Sequence, residues 1–304
     1  MSGFGRILIL GASGQVGREL RRSFDGAGEL VCPGRQEADL AAPERLREMI
    51  RRIEPNLILN AAAYTAVDRA ETERELAFAI NAEAPRVLAE EAVRRNILLV
   101  HYSTDYVFDG SRQSPWVEED EPQPLNIYGT SKLAGEEAIR ETKARSLIFR
   151  TSWVYGPHGS NFLLTMLRLG RERDQIRVVD DQKGAPTTSM ELARATRSIV
   201  EGAWNGRYGP PEEWTGLYHM TCGGATTWCG FAREIFSRGG HLPGRPAPEV
   251  VPIGSAEYKT AARRPANSVL SNEKLKSRFG IALASWEQAL GEVLSQAGAG
   301  LAAR

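Results

Sequence analysis

Two residues near the middle of the chain could move a proton together. Tyr128 and Lys132 are four residues apart in the segment YGTSKLAGE, a spacing that places them on one face of a helix. A phenol with a pKa of about 10 is a poor acid at neutral pH, but a neighbouring ammonium favours the phenolate and lowers that pKa. Thr104, in the strand-ending segment STDY, has a hydroxyl that could orient a carbonyl oxygen. These residues predict an acid–base site that interconverts a carbonyl and an alcohol.

A glycine-rich turn near the start of the chain predicts a bound dinucleotide. Gly11, Gly14 and Gly17 recur in GASGQVG, between the apolar run RILIL and a helical pattern that begins at Gln15 and Val16. Glycine lets the backbone approach a pyrophosphate, and a helix N-terminus offers free N–H groups and a partial positive charge. A turn with incidental glycines is the alternative, and the position between a strand and a helix argues against it. Together with the Tyr–Lys pair, the turn predicts hydride transfer with a nicotinamide dinucleotide.

The end of the second strand predicts which dinucleotide is preferred. A carboxylate at this place holds the ribose 2′-hydroxyl of NAD(H), whereas an arginine accommodates the 2′-phosphate of NADP(H). This chain has Cys32-Pro33-Gly34-Arg35, with no acidic residue. We therefore expect a preference for NADP(H), with NAD(H) as the second candidate. The alternative is that Arg35 is only a solvated surface arginine.

The first half of the chain alternates short apolar runs with amphipathic stretches. The runs RILIL, ELVC, NLILN, ILLVHYS and SLIFRTS predict strands, and the stretches between them carry apolar residues at helical spacing. This alternation predicts an α/β fold, a Rossmann-type doubly wound parallel sheet with helices on both faces. Ligands of such sheets lie at the carboxyl ends of the strands, which is where the segments described above are found.

The second half of the chain reads differently, with more Pro, Gly and Trp. We expect a dinucleotide-binding domain over residues 1–152 and a smaller, interleaved portion over residues 153–304 that mainly binds substrate. Segments 206–216 and 239–252 are predicted to be irregular connections. The run IRVVDDQ at 176–182 is a candidate to return to the Rossmann sheet.

Composition and charge favour a small-molecule partner. The 304 residues include 38 Lys and Arg against 38 Asp and Glu, so no net charge attracts nucleic acid. No apolar run approaches the ~20 residues of a membrane span, and the N-terminal segment does not read as a signal peptide, so we expect a cytoplasmic protein. The three cysteines lack C-x-x-C spacing, and the histidines His101, His158, His219 and His241 are scattered. We therefore predict no metal site from spacing.

Several further segments carry a family resemblance. The glycine turn and YGTSK are typical of short-chain dehydrogenase/reductases, and the chain resembles the extended branch of that superfamily. Within it, STDYVFDG, RTSWVYG, DQKGAPT and RRPANSVL are similar to the dTDP-4-dehydrorhamnose reductases. The resemblance covers nearly the whole chain and implies NAD(P)H-dependent reduction of dTDP-4-dehydro-β-L-rhamnose to dTDP-β-L-rhamnose. It also makes a homodimer and a bridging Mg²⁺ candidates, because some members of this family have them.

The resemblance implies roles for individual residues. Thr104, Tyr128 and Lys132 would be catalytic, and Lys132 would also bind the nicotinamide ribose. Thr104, Asp105 and Trp153 would bind the nucleotide sugar, although a large aromatic such as Trp153 more often belongs to a core. The residues implied in cofactor binding besides the glycine turn are Asp39, Leu40, Ala62, Ala63, Tyr64, Tyr102, Tyr128 and Lys132.

Two other functions remain open at this point. A nucleotide-sugar epimerase or dehydratase would share the fold and the Tyr–Lys pair, but it would regenerate its dinucleotide, whereas a reductase consumes one per turnover. A non-catalytic subunit that binds NADP(H) and a partner enzyme would not need the proton-handling groups. Because Thr104, Tyr128 and Lys132 are all present, the reductase is favoured.

Overall fold

The structure, a computed structural model, describes residues 3–239 and 246–301, with side chains up to residue 296. A π-helical segment at Ala79–Glu83 joins the helices Arg74–Phe78 and Ala84–Arg95. The strands of the described chain are β1 (Arg6–Leu10), β2 (Glu29–Val31), β3 (Leu57–Asn60), β4 (Leu98–Thr104), β5 (Ser146–Thr151), β6 (Val154–Tyr155), β7 (Gln175–Val179), β8 (Lys183–Gly184), β9 (Thr187–Thr188), β10 (Gly216–His219), β11 (Thr226–Thr227) and β12 (Glu249–Ile253). The helices are α1 (Gln15–Ser23), α2 (Pro43–Ile53), α3 (Val67–Ala70), α4 (Arg74–Phe78), α5 (Ala84–Arg95), α6 (Ile127–Glu141), α7 (Phe162–Glu172), α8 (Ser189–Trp204), α9 (Pro211–Trp214), α10 (Trp228–Ser237), α11 (Glu273–Phe279) and α12 (Trp286–Leu301).

Six strands form one parallel sheet in the order β10-β5-β4-β3-β1-β2. The five apolar runs of the first half supply β1 to β5. Strands β3, β4 and β5 are buried along their whole length, as a parallel sheet covered on both faces requires. The strand order reverses between β1 and β3, so the predicted Rossmann-type, doubly wound sheet is confirmed.

Helices cover both faces of this sheet. On one face, α1 and α8 pack through Leu20 and Leu192. On the other, α5 and α6 pack through Leu88 and Ile139. Because all six strands are parallel, their carboxyl ends meet at one edge, and the loops that follow β1, β3 and β4 lie together there.

A third apolar cluster holds much of the C-terminal portion together. It joins α7, α10 and α12 with the parallel pair β7–β12. The expectation that residues 176–182 return to the main sheet is wrong, because β7 pairs with β12 instead. Ile176 and Val178 are buried while Gln175 and Arg177 are exposed. This alternation suits a strand with only one buried face, whereas an inner strand of the Rossmann sheet is buried on both.

The strand that does return to the main sheet is β10, which extends it beyond β5. Helix α8 also packs on α1, so the two portions of the chain interleave. The division at residues 152 and 153 stays a prediction. Helix α9 interrupts the irregular segment expected at 206–216. Residues 240–245, which include His241 and part of the expected connection at 239–252, lie outside the described residues.

In the described part of the chain, no helix is long and apolar enough to cross a membrane.

Candidate active site

The glycine turn after β1 is built for close backbone approach. Gly11 has a φ of +74°, and a Cβ on it would lie 2.7 Å from the Ala62 nitrogen. A Cβ on Gly17 would lie 2.1 Å from the Gly11 carbonyl oxygen, so this glycine serves the packing of α1 against the turn. Gly14, at the N-cap, gives α1 no side-chain cap. The first N–H groups of α1 are therefore left for another acceptor.

A cavity of about 1220 Å³ opens from this turn across the carboxyl edge of the sheet. All of the predicted site residues except Gly17 line it. An uncapped helix N-terminus, a glycine turn and a cavity of this size fit a dinucleotide together with a second ligand. The predicted residues in the cavity wall are Gly11, Gly14, Gln15, Val16, Arg35, Asp39, Leu40, Ala62, Ala63, Tyr64, Tyr102, Thr104, Asp105, Tyr128, Lys132 and Trp153.

The phosphate turn also bonds directly to the C-terminal portion. The Asn161 amide nitrogen donates to Gln15 Oε1 at 2.7 Å, and Asn161 Oδ1 accepts from the Leu164 N–H at 3.0 Å. Asn161 thereby caps the N-terminus of α7 and at the same time holds the side chain of Gln15. Gly159, in the loop before it, lies against the Gln15 side chain.

Tyr128 lies in the first turn of α6, which Asn126 caps through a 2.8 Å bond from the Gly129 N–H. A Cβ on Gly129 would lie 2.1 Å from the Tyr106 carbonyl oxygen, so glycine allows this turn to pack against the segment after β4. As a result the Tyr128 ring meets the Tyr106 ring edge-on, with centroids 5.8 Å apart. The tyrosine is therefore held beside Thr104 at the carboxyl end of β4.

The expected effect of Lys132 on the Tyr128 phenol is not present in this structure. Burial raises the pKa of Tyr128 to about 12, and a hydrogen bond with Thr104 opposes that rise. The Lys132 amine instead donates to the Tyr102 carbonyl at 2.6 Å and lies 3.1 Å from His101 Nε2. Burial lowers the pKa of Lys132 to about 8. The four-residue spacing correctly predicted that Tyr128 and Lys132 share one wall of the cavity. It could not show that the Lys132 amine contacts buried groups on β4 behind the cavity wall.

Thr104 and Asp105 form the polar end of β4. The Thr104 hydroxyl donates to Asp105 Oδ1 at 3.0 Å, and Ser152, at the end of β5, donates to Asp105 Oδ2 at 2.9 Å. Asp105 is only 2% exposed. Burial raises the pKa of its carboxyl to about 6, against the hydrogen bonds from Ser268, Ser152 and Thr104. This carboxyl therefore changes charge near neutral pH.

Trp153 lies in the cavity wall, not in an apolar core. It has a left-handed φ of 46°, and its ring stacks on that of Trp228, which also lines the cavity. Trp228 was not predicted from the sequence, because nothing in its spacing links it to a residue 75 positions earlier. A second aromatic in the C-terminal portion was the only available signal.

Arg35 lies at the far part of the cavity, after β2. It also lines an adjoining pocket of about 720 Å³ with Asp39 and Arg45. Arg35 is exposed and has no ion pair within the described residues. Arg45, from the first turn of α2, was not anticipated, since sequence alone does not show that α2 begins beside the loop after β2. Two cations therefore border the same pocket.

The next residues to place are the candidate metal ligands and the histidines. No group of three or more His, Cys, Asp or Glu side chains in residues 3–239 and 246–296 is arranged to hold a metal ion, so no step is assigned to Mg²⁺. His158 is exposed, His219 is buried away from the cavity wall, and His101 contacts Lys132. No role for His101 was predicted from the sequence, because the four histidines are scattered without metal-ligand spacing.

The fold and this site define a Rossmann-type dehydrogenase or reductase of the short-chain class. The family described as "RmlD substrate binding domain" matches residues 5–298. A dTDP-4-dehydrorhamnose reductase of Burkholderia thailandensis is 48% identical, covering 96% of this chain and 100% of its own length. The reductase of the same name from Escherichia coli K12 is 41% identical over 95% of this chain and 97% of its own.

A solved structure gives the same result. The dTDP-4-dehydrorhamnose reductase of Bacillus anthracis, determined in complex with NADP, superposes with a TM-score of 0.88 at 34% identity, covering 96% of this chain and 99% of that one. The chain therefore belongs to the dTDP-4-dehydrorhamnose reductase family, a family of NAD(P)H-dependent oxidoreductases.

Proposed function

We propose that this chain reduces dTDP-4-dehydro-β-L-rhamnose to dTDP-β-L-rhamnose, with Tyr128 as the proton donor. The observation that carries the proposal is the convergence of Thr104, Tyr128 and Lys132 in the same cavity as the uncapped N-terminus of α1. Family membership supports the substrate, because the relatives named above are reductases of dTDP-4-dehydrorhamnose.

The side chains divide the work of the reaction. NADPH, when bound, supplies the hydride that the carbonyl carbon of the sugar receives. The Thr104 hydroxyl orients the carbonyl oxygen, and the Tyr128 phenol gives its proton to the developing alkoxide. Lys132 contributes positive charge at the same wall and binds the nicotinamide ribose. Asp105 and Trp153 hold the nucleotide sugar.

Cofactor binding follows the length of the cavity. The N–H groups at the start of α1 bind the pyrophosphate, and the small residues Ala62 and Ala63 let the backbone lie against the dinucleotide. Leu40 packs on the adenine. We include a preference for NADP(H) over NAD(H) in the proposal, because Arg35 and Arg45 border the pocket at the end of β2 and arginines pair well with phosphate.

The decisive experiment uses the purified protein, NADPH and a panel of 4-keto-6-deoxy sugar nucleotides. We expect stoichiometric loss of NADPH absorbance only with the rhamno-configured 4-keto sugar on dTDP, and dTDP-β-L-rhamnose as the product identified by NMR. Turnover without net loss of NADPH would contradict the proposal and indicate an epimerase. Binding of NADPH without any turnover across the panel would indicate a non-catalytic subunit.

A further inference from the structure

A buried polar chain lies directly behind the lysine of the site. His101 Nε2 is 3.1 Å from Lys132 Nζ, and His101 Nδ1 is 3.0 Å from the amide nitrogen of Asn60. All three side chains are about 1% exposed. Lys132 lines the cavity, whereas neither His101 nor Asn60 does. The imidazole therefore contacts the lysine from the side away from the ligands.

The position of this chain in the sheet is unusual for polar residues. Asn60 and His101 are opposite each other on the neighbouring strands β3 and β4, after the apolar runs Leu57–Leu59 and Leu98–Val100. The preceding residues of the same sheet face, Ile58 and Leu99, belong to the apolar core under α5 and α6. Burying an amide and an imidazole here has a free-energy cost unless both are hydrogen-bonded. Two apolar residues would satisfy the fold at lower cost, so the polar pair calls for a functional explanation.

The hydrogen-bonding capacity of Lys132 supplies that explanation. An ammonium has three N–H donors. One is taken by the Tyr102 carbonyl at 2.6 Å, and His101 Nε2 lies 3.1 Å from the same nitrogen. An unprotonated Nε2 would take a second donor and leave one for the cavity. We propose that His101 is a positioning residue, whose imidazole is unprotonated at Nε2, accepts from the Lys132 ammonium and thereby fixes the direction of its remaining N–H. This inference deepens the proposed function and rests on it.

The tautomer of His101 follows from this arrangement. A neutral imidazole that accepts at Nε2 carries its proton at Nδ1 and must donate there. The only group at Nδ1 within the described residues is the Asn60 amide, whose oxygen and nitrogen can exchange places by rotation. With the oxygen toward His101, Asn60 accepts from Nδ1–H and gives up its longer, 3.3 Å bond from the Ala62 N–H. The proposed tautomer therefore requires the rotated Asn60 amide, because an amide nitrogen at Nδ1 would make Nδ1 the acceptor and leave the proton on Nε2.

The charges around Lys132 explain why a second acceptor matters. Burial is the largest effect on the pKa of Lys132 and lowers it, while Glu136, one turn later on α6, raises it. The carboxylate of Glu136 is itself bound by Arg150 on β5 and Ser103 on β4. Burial and the nearby Lys132 lower the pKa of His101 well below its ordinary value, so the imidazole is neutral.

The other polar groups of the cavity wall and of the adjoining strand do not replace this acceptor. Tyr128 lies on the same helix and lines the cavity, Asp105 follows β4 and is bound by Thr104 and Ser152, and β3 contributes the uncharged Asn60. Without His101, one N–H of a buried ammonium would lose its acceptor, which favours the neutral amine.

The first test reads the tautomer in the ligand-free wild-type protein. The chain has four histidines, and ¹⁵N labelling of histidine, with assignment by loss of one pair of signals in His101→Gln, isolates the ring of His101. We expect the Nε2 shift of an unprotonated nitrogen and the Nδ1 shift of a protonated one at about pH 7. A protonated Nε2 would overturn the proposal. This measurement does not depend on turnover.

The second test compares pH profiles of the full-length enzyme with NADPH. In His101→Leu, loss of a hydrogen bond to a charged group is expected to lower kcat about 10- to 100-fold. It should also move the alkaline limb of the kcat profile to lower pH by about one unit or more. We assign that limb to Lys132, because its pKa of about 8 lies below the pKa of about 12 of Tyr128. His101→Gln keeps an acceptor and should restore most of the loss. His219→Leu, which removes a buried histidine outside the cavity wall, should leave the limb in place.

The outcomes separate this inference from the proposed function. A His101→Leu enzyme with the wild-type pH limb, or His219→Leu with the same shift, would refute the positioning role while leaving the reductase intact. A wild-type protein that reduces no 4-keto sugar would refute the function while the ¹⁵N measurement still decides the tautomer. If His101→Leu does not fold, the wild-type ¹⁵N shifts decide the question.

Discussion

The indole rings of Trp153 and Trp228 lie parallel, with centroids 3.5 Å apart and an interplanar angle of 8°. Trp153 adopts a left-handed φ of 46°, which is costly for a bulky residue and persists only when its surroundings impose it. On the strand β8, a Cβ at Gly184 would come within 2.4 Å of Trp153 Cε2. Trp228 and Gly184 therefore hold Trp153 in the cavity wall.

Removing the stacked partner should weaken substrate binding more than chemistry. In Trp228→Ala, Trp153 loses an aromatic contact of about 0.5–1.5 kcal/mol, so we expect KM for the nucleotide sugar to rise about 3- to 10-fold with little change in kcat. Trp228→Phe, which keeps a ring face, should lie close to the wild type. Steady-state kinetics at saturating NADPH measure the effect, and an unchanged KM in Trp228→Ala would show that the stack does not position Trp153 for the sugar.

Filling the space at Gly184 should destabilise the protein. The methyl group of Gly184→Ala meets the Trp153 ring, and overpacking of this kind typically lowers the free energy of unfolding by about 1–3 kcal/mol. Gly223→Ala is a matched control, because its Cβ would have no neighbour closer than 3.8 Å. Urea unfolding measures the free energy of unfolding of both variants, and we expect Gly184→Ala to be the less stable. Equal free energies would argue against a tight contact at Gly184.

Replacing the proton donor should abolish chemistry but not cofactor binding. We expect Tyr128→Phe to lower kcat at least about 100-fold, the usual contribution of a positioned general acid. The Kd for NADPH, measured by calorimetry, should stay within a few fold of the wild type. Tyr155→Phe removes a buried hydroxyl outside the cavity wall and should keep normal turnover. Full activity of Tyr128→Phe would exclude Tyr128 as the donor.

The two arginines beside β2 should distinguish NADPH from NADH. In Arg35→Ala or Arg45→Ala, loss of a charge-assisted bond to the 2′-phosphate should raise the Kd for NADPH about 10-fold or more. The Kd for NADH should hardly change, because NADH has no 2′-phosphate. Arg52→Ala, an exposed arginine of α2 outside both pockets, serves as the control. Equal losses for the two cofactors in Arg35→Ala would remove that residue from cofactor discrimination.

Asp105 should make the folded state sensitive to mildly acidic pH. Burial raises the pKa of its carboxyl to about 6, above the value of about 4 in an unfolded chain. Between these values folding takes up a proton, so the contribution of Asp105 to the free energy of unfolding falls as pH rises, by at most about 1.4 kcal/mol per pH unit. Denaturant unfolding of wild type and Asp105→Asn across this range should show their stability difference changing with pH. A constant difference would contradict the raised pKa.

The sequence predicted the central architecture because its strands are nearly continuous apolar runs. Leu57–Asn60 and Leu98–Thr104 are buried on both faces, and that pattern indicates an inner parallel strand without further context. The segment 176–182 was wrongly predicted to join the main sheet because Val178 and Val179 are apolar, as in an inner strand. The strand that does join it, β10, is short and contains both polar and apolar residues. Its burial depends on tertiary neighbours, which local sequence does not encode.

Site residues could be predicted where a local sequence motif is enough to identify them. They could not be predicted where the site is formed by segments that are distant in the sequence. Gly11 and Tyr128 could be found from local patterns. Trp228 and Arg45 reach the cavity only because the fold brings α10 and α2 to it. His101 was hidden for another reason, because a polar residue in an apolar strand reads as a core position until the side chain it contacts is known.

The bond between Gln15 and Asn161 bears on how such enzymes can be recombined. A chimera that joins residues 1–152 of this chain to the remaining part of another reductase would keep that contact only if the second enzyme places an amide donor at the start of its equivalent of α7. Such a chimera would therefore have to keep Asn161, or an equivalent amide donor, opposite Gln15 to preserve the bond between the glycine turn and α7.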